Sequence, residues 1–146
     1  MAEEDPDIML QYLSGSSTLL SSCVRESGRL KPIANYTYPH SLPTERIVGG
    51  YHISAGSYVI VDSNALNTRN LSWGNEREQY RPQRFLEESV SASQHQLWQY
   101  GFGPRQCMVQ HVADVILKVL LSYVIEDFRV RLDSKEDDWS KKRPDQ

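Results

Sequence analysis

The longest periodic run of apolar residues lies at 108–124. Val112, Ile116, Val119 or Leu120, and Tyr123 recur there at helical spacing, and Val109, Ala113, Leu117, Leu121 and Val124 widen the stripe. A helix this apolar on most sides expects burial against a large body. A second helix is expected over 18–30, with Leu19, Leu20, Cys23 and Val24 on or near one side. Ser16 or Ser17 supplies its N-cap, Gly28 weakens it and Pro32 ends it. Between these helices the period shortens. Ile47-Val48 and Tyr51-His52-Ile53 flank Gly49-Gly50, and Tyr58-Val59-Ile60-Val61 follows Ala55-Gly56-Ser57. Short β-branched and aromatic runs separated by glycine turns predict a small sheet of hairpins. Asn64-Ala65-Leu66-Asn67 reads as a short helical turn, and Phe128-Arg129-Val130-Arg131-Leu132 alternates as a strand. The first ten residues are expected to be loose, 68–98 to form a long polar connection, and the charged stretch 133–146 to be disordered.

Composition narrows this picture without changing it. At 146 residues, 39% hydrophobic and 24% charged, the chain suits one soluble domain with a core. A net charge of −3 gives no general nucleic-acid-binding surface. No apolar run reaches the ~18 residues of a bilayer span, and Met1-Ala2-Glu3-Glu4-Asp5 is unlike a signal peptide. No membrane segment or secretion signal is therefore expected in this chain. Cys23 and Cys107, far apart and in unlike contexts, argue against a disulfide scaffold and for reduced thiols in an intracellular setting.

The candidate chemistry centres on Trp98-Gln99-Tyr100-Gly101-Phe102-Gly103-Pro104-Arg105-Gln106-Cys107, which leads directly into the apolar run. If Cys107 opens the helix, unpaired N–H groups and the positive end of the helix dipole favour a thiolate there. Glycines without Cβ atoms let the backbone approach a large flat ligand. This is neither a dinucleotide fingerprint, since Gln106 stands where a third glycine belongs, nor a phosphate loop. A lone cysteine is more often a buried apolar residue, and a redox-active thiol of low pKa is a further alternative. Two other constellations have bland readings when taken alone. Glu26-Ser27-Gly28-Arg29 places an ion pair on one helix face, ordinarily a solvated pair worth a few tenths of a kcal/mol. Pro82-Gln83-Arg84-Phe85 reads as a turn with an exposed arginine.

In this order, Glu-x-x-Arg, small strands, Pro-x-Arg-Phe and Gly-x-Gly-x-Arg-x-Cys before a long helix resemble the C-terminal part of the cytochrome P-450 monooxygenases. The resemblance runs over about 18–132, so that 1–15 is expected to be a polar N-terminal segment and 16–132 a partial haem-binding domain. The implied fold class is an α+β fragment of a mainly helical fold, with a Glu-x-x-Arg helix, small β-hairpins, a meander, the cysteine loop and a long helix. The wording around Cys107 to Asp114 is most similar to fungal secondary-metabolite members, including those of gliotoxin-type pathways.

By this resemblance Cys107 is the axial thiolate ligand of a haem b iron, and thiolate donation favours O–O cleavage. Arg105 pairs with a haem propionate, Gly101 and Gly103 let the loop approach the porphyrin, and Tyr100 takes the place of the usual phenylalanine. Glu26, Arg29 and Arg84 form a structural ion-pair network. Val109 stands where the family has glycine, and its branched methyls are expected to press toward the haem face. Gln83 replaces the usual acidic residue. The central helix with its acid–threonine pair, the distal wall of the pocket and most of the substrate site have no counterpart in these residues, so no catalytic residue is assigned.

The expected function is O2-dependent oxidation of a small organic substrate, with electrons from a flavoprotein reductase. Intact fungal relatives are expected at the endoplasmic reticulum membrane, and this chain is expected to be truncated and inactive alone. The alternative is a non-catalytic remnant or a partner-dependent haem-binding protein, motivated by the apolar run at 108–124.

Overall fold

The computed structural model describes residues 6–87 and 97–131. Its elements are α1 (Pro6–Ser14), α2 (Leu19–Leu30), β1 (His40–Ser41), β2 (Arg46–Val48), β3 (Tyr51–Ile53), β4 (Tyr58–Val59), α3 (Ser63–Thr68), α4 (Arg84–Glu87) and α5 (Gln110–Asp127). Short 3-10 turns fall at Leu71–Trp73 and Gly103–Arg105. This is the mixed fragment expected, mainly helical with small strands. Helix α2 is its hub, packing on α3, α4 and α5, while α1 packs on α5.

Helix α2 is capped by Thr18, one residue after Ser17 and two after Ser16. Thr18, in extended conformation, accepts the Ser21 N–H on its hydroxyl at 3.2 Å. Gly15 still donates to the carbonyls of Gln11 and Tyr12, so Ser16 and Ser17 form the bend between two helices rather than a cap. At the other end the Lys31 N–H reaches the Ser27 carbonyl at 2.9 Å, and Pro32 follows. The buried residues of α2 are Ser21, Ser22, Val24, Glu26 and Arg29, a more polar set than the apolar side expected.

The expectation of a loose N-terminus fails within the described residues. Helix α1 begins with proline, whose missing N–H is no loss at a helix start, carries Asp7 in its first turn and buries Leu13. The glycine-turned hairpin is present, with Arg46 opposite Ile53, Ile47 opposite His52 and Val48 opposite Tyr51. The next ladder is shorter than expected, pairing His40 with Val59 and Ser41 with Tyr58. Beyond it Val61 still meets Thr37, its carbonyl accepting the Thr37 N–H at 3.0 Å, but its own N–H goes to the Thr37 hydroxyl at 2.9 Å, so the regular ladder ends at Val59. The two ladders do not merge into one sheet. The helical turn expected at 64–67 lies within α3.

No strand forms at 128–131 among the described residues, because nothing pairs with it; Leu132 lies outside them. The expected disordered stretch 133–146 also lies outside the described residues. The connection 68–98, described only in part, contains the Leu71–Trp73 turn and α4. Trp73, Phe85 and Leu97 form the apolar core, with the rings of Trp73 and Phe85 edge to face at 6.0 Å. The expected burial of the last helix does not occur within the described residues. Val112, Ile116 and Tyr123 are 58%, 52% and 58% exposed, and Lys118 is the buried residue of α5.

Candidate functional site

The Glu26–Arg29 pair is not a surface pair. Both side chains are wholly buried, and the guanidinium grips the carboxylate with two hydrogen bonds, Nε to Oε2 at 2.7 Å and Nη2 to Oε1 at 2.8 Å. Three-residue spacing on α2 brings the two together. Arg84, presented by α4 and nearly buried, adds its Nε to Oε1 at 3.2 Å, and the Arg81 backbone N–H reaches the same oxygen at 3.0 Å. One carboxylate between two guanidinium groups leaves a net positive charge, which backbone carbonyls surround. Arg29 donates to Asn67 and Gln79, and Arg84 donates to Trp73 and Glu76. The Trp73 ring lies beneath both cations, 5.0 Å from Arg29 and 5.9 Å from Arg84. Burial alone would raise the Glu26 pKa, but hydrogen bonds from Arg29 and the Arg81 N–H, with the charges of Arg29 and Arg84, outweigh it. The carboxyl is held below its ordinary value of 4.5.

The cysteine loop leaves this network at Trp98. Gly101 and Gly103 adopt φ of +77° and +65°, in the left-handed region that disfavours side chains. These two inflections turn the chain back on itself, so that the Cys107 N–H donates to the Tyr100 carbonyl at 2.9 Å. Cys107 is half-buried and free of any disulfide, while Arg105 is exposed. Tyr100 is half-buried, and its hydroxyl oxygen is buried without a hydrogen-bond partner among the described residues. Burial first, then the negative charges of Asp114 and Cys107, push this phenol's pKa upward.

Cys107 does not open the helix. Its carbonyl accepts the Gln110 N–H at 3.4 Å, and α5 begins only at Gln110, with Val109 as its N-cap. The bond from Cys107 to Tyr100 holds the cysteine backbone in the loop, so the turn at 108–109 is spent leaving it. Val109 sits at φ −101°, ψ 15°, in the sparsely populated bridge between helical and extended backbone, and its side chain is exposed.

Sequence reasoning missed three residues that matter here. Asn67 is wholly buried between Arg29 and Trp98, Trp73 floors the ion network, and Lys118 is wholly buried in α5. Lys118 pairs with Asp114 at 2.6 Å and donates to the Gly15 carbonyl at 2.9 Å, fastening α5 to the α1–α2 junction. A lysine within an apolar stripe, four residues after an aspartate, was a signal for the last of these.

The site thus holds a half-buried thiol on a glycine-turned loop, an exposed arginine two residues before it and a buried ion network tied to the start of the loop through Asn67. The donor set fits one face of a haem. Cys107 offers a soft sulfur, and Arg105 makes no ion pair among the described residues and can meet a carboxylate. A Cβ built on Gly103 would meet nothing within 4 Å, which leaves open space beside the loop. No group of three or more His, Cys, Asp or Glu that could hold a bare metal ion occurs among the described residues.

The chain belongs to the cytochrome P450 family, whose model matches residues 15–145. It is 50% identical over 130 residues to cytochrome P450 monooxygenase roqR of Penicillium rubens, covering 89% of this chain and 25% of that protein. With cytochrome P450 monooxygenase aclC of Aspergillus oryzae it shares 50% identity over 119 residues, 82% of this chain and 24% of the relative. With cytochrome P450 monooxygenase gliC of Aspergillus fumigatus it shares 36% over 137 residues, 88% of this chain and 27% of the relative. The chain thus spans about a quarter of the length of these relatives. Among solved structures, a zebra fish cytochrome P450 with abiraterone superposes with a TM-score of 0.60 at 26% identity, over 71% of this chain and 23% of that one. Another, with progesterone, gives a TM-score of 0.57 at 27% identity, over 69% and 22% of the two chains. The family's cofactor is a haem iron with a cysteine thiolate ligand.

Proposed function

We propose that this chain is the thiolate-bearing C-terminal portion of a fungal cytochrome P450 monooxygenase of secondary metabolism. The single observation that carries the reading is the glycine-turned loop that bears a free, half-buried Cys107 two residues after an exposed Arg105. Cys107 would ligate the iron, Arg105 would bind a propionate, Gly103 would keep its side of the loop bare, and Gly101 would let the loop close on the backbone of Arg105 and Gln106. Bound there, the haem would supply oxygen activation for inserting one oxygen atom into an organic substrate. The residues described here bind and orient. Tyr100 fixes the Cys107 N–H, and Glu26, Arg29 and Arg84 hold the base on which the loop stands. Electrons would come from a flavoprotein reductase, with the whole enzyme at the endoplasmic reticulum membrane. No described helix is long and apolar enough to cross a membrane.

A second reading has its own observation. Val112, Ile116, Leu120 and Tyr123 on α5 are each more than half exposed. An apolar helix face of this extent favours a chain that binds haem only when the rest of the fold covers it. Titration of the purified chain with haem, followed by Soret absorbance, separates the two. Saturable binding that protects Cys107 from alkylation and weakens in Arg105→Ala supports the first reading. Binding only after addition of the upstream portion of a relative supports the second. Binding unchanged in Cys107→Ala contradicts both.

A further inference from the structure

We infer that Asn67 is a positioning residue that transmits the alignment of the buried ion network to the cysteine loop. Its backbone carbonyl accepts Arg29 Nη1 at 2.7 Å, which ties it to the network. Its side-chain amide holds Trp98 from both directions, Oδ1 accepting the Trp98 N–H at 2.8 Å and Nδ2 donating to the Trp98 carbonyl at 2.8 Å. One side chain thus reproduces the paired N–H and C=O contacts of a strand partner, at the residue where the loop begins. From there the order passes inward. The Trp98 indole meets Phe102 edge to face at 5.0 Å, and the Tyr100 carbonyl fixes the Cys107 N–H.

A primary amide suits this position because it offers one donor and one acceptor side by side. Aspartate keeps an acceptor but has no donor for the Trp98 carbonyl, and leucine keeps the approximate volume with neither. Helix α2 meets the same stretch only through a side chain. A Cβ at Gly28 would lie 2.6 Å from Gln99 Nε2, so the glycine makes room for the end of that side chain. Trp98 is therefore held by an α3 amide, while only the side chain of the next residue lies over bare α2 backbone.

The inference rests on Cys107 as the haem ligand only for its spectroscopic arm. The test uses the full chain as wild type, Asn67→Leu, Asn67→Asp and Ser63→Ala. Ser63 is the control, because its buried hydroxyl anchors the same short helix to Ala34 and Asn35 without touching Trp98. Amide hydrogen exchange over 98–107 and alkylation of Cys107 are read in the haem-free protein. Loss of both Trp98 bonds should speed exchange and alkylation by about tenfold in Asn67→Leu. Asn67→Asp should give a smaller increase, and Ser63→Ala should leave 98–107 near wild type even if α3 itself loosens. Equal acceleration in Ser63→Ala and the Asn67 variants, or none in the latter, overturns the inference. If Asn67→Leu does not fold, Asn67→Asp against Ser63→Ala decides it. In the haem-loaded chain, Asn67→Leu should convert part of the thiolate-type ferrous carbon-monoxide band to the neutral-thiol type. A wild-type chain without the thiolate band would refute the ligand reading, and the exchange comparison would still decide the role of Asn67.

Discussion

Replacing Glu26 by alanine isolates the energetics of the ion network. The carboxylate accepts two hydrogen bonds from Arg29, one from Arg84 and one from the Arg81 N–H. Its removal leaves two guanidinium groups buried with no anion between them. Breaking a buried ion pair by removing one partner costs about 3–5 kcal/mol. That is a large share of the roughly 5–15 kcal/mol that holds a typical domain together. In urea, with a slope of about 1–3 kcal/mol per molar, the midpoint should fall by about 2 M. Near-UV circular dichroism is the suitable signal, because Trp73 packs under both arginines and within the core. Glu26→Asp keeps the anion but withdraws it by one methylene, and should lose less. Glu76→Ala breaks an exposed pair with Arg81, where solvent screens the charges, and should scarcely move the midpoint. A Glu26→Ala midpoint no lower than that of Glu76→Ala would refute the reasoning.

The same carboxyl sets the acid response. Its folded-state pKa lies below the ordinary 4.5, so its contribution is fully present above that value and drains away as pH falls through the depressed one. Urea midpoints measured from pH 6 downward should fall more steeply in wild type than in Glu26→Gln, and parallel curves would contradict the assignment. Tyr100→Phe removes a buried hydroxyl that has no partner among the described residues, and should raise stability by about 1–2 kcal/mol. A thermal midpoint that drops instead would reveal a bond to that oxygen. Lys118→Met keeps the stem but abandons Asp114 and the Gly15 carbonyl, so it should cost about 1–3 kcal/mol. It should also speed proteolytic cleavage at 15–17, and an unchanged cleavage rate would show that this anchor is idle.

Local chemistry was the most legible part of the sequence. The α2 helix, the Gly49-Gly50 hairpin and the short helix at 63–68 follow from period and turn residues, and the order of three motifs identified the family. Burial was the least legible. Glu26-x-x-Arg29 alone describes a solvated pair, and only the distant Arg84, Trp73 and Asn67 make it an interior network. The start of α5 was misplaced because an apolar stripe does not register the backbone bond from Cys107 to Tyr100. The strand expected at 128–132 depended on a ladder partner that local alternation cannot specify. The apolar period of α5 led to an expectation of burial that the described residues do not meet, because periodicity says what a face prefers and not what covers it.

The central claim concerns one sulfur atom. The ferrous carbon-monoxide spectrum of the haem-loaded chain, compared between wild type and Cys107→Ala, tests it most directly. The expected result is a red-shifted thiolate-type Soret band in wild type that disappears in Cys107→Ala. A haem-bound wild type without that band, or a band that persists in Cys107→Ala, would contradict the assignment of Cys107.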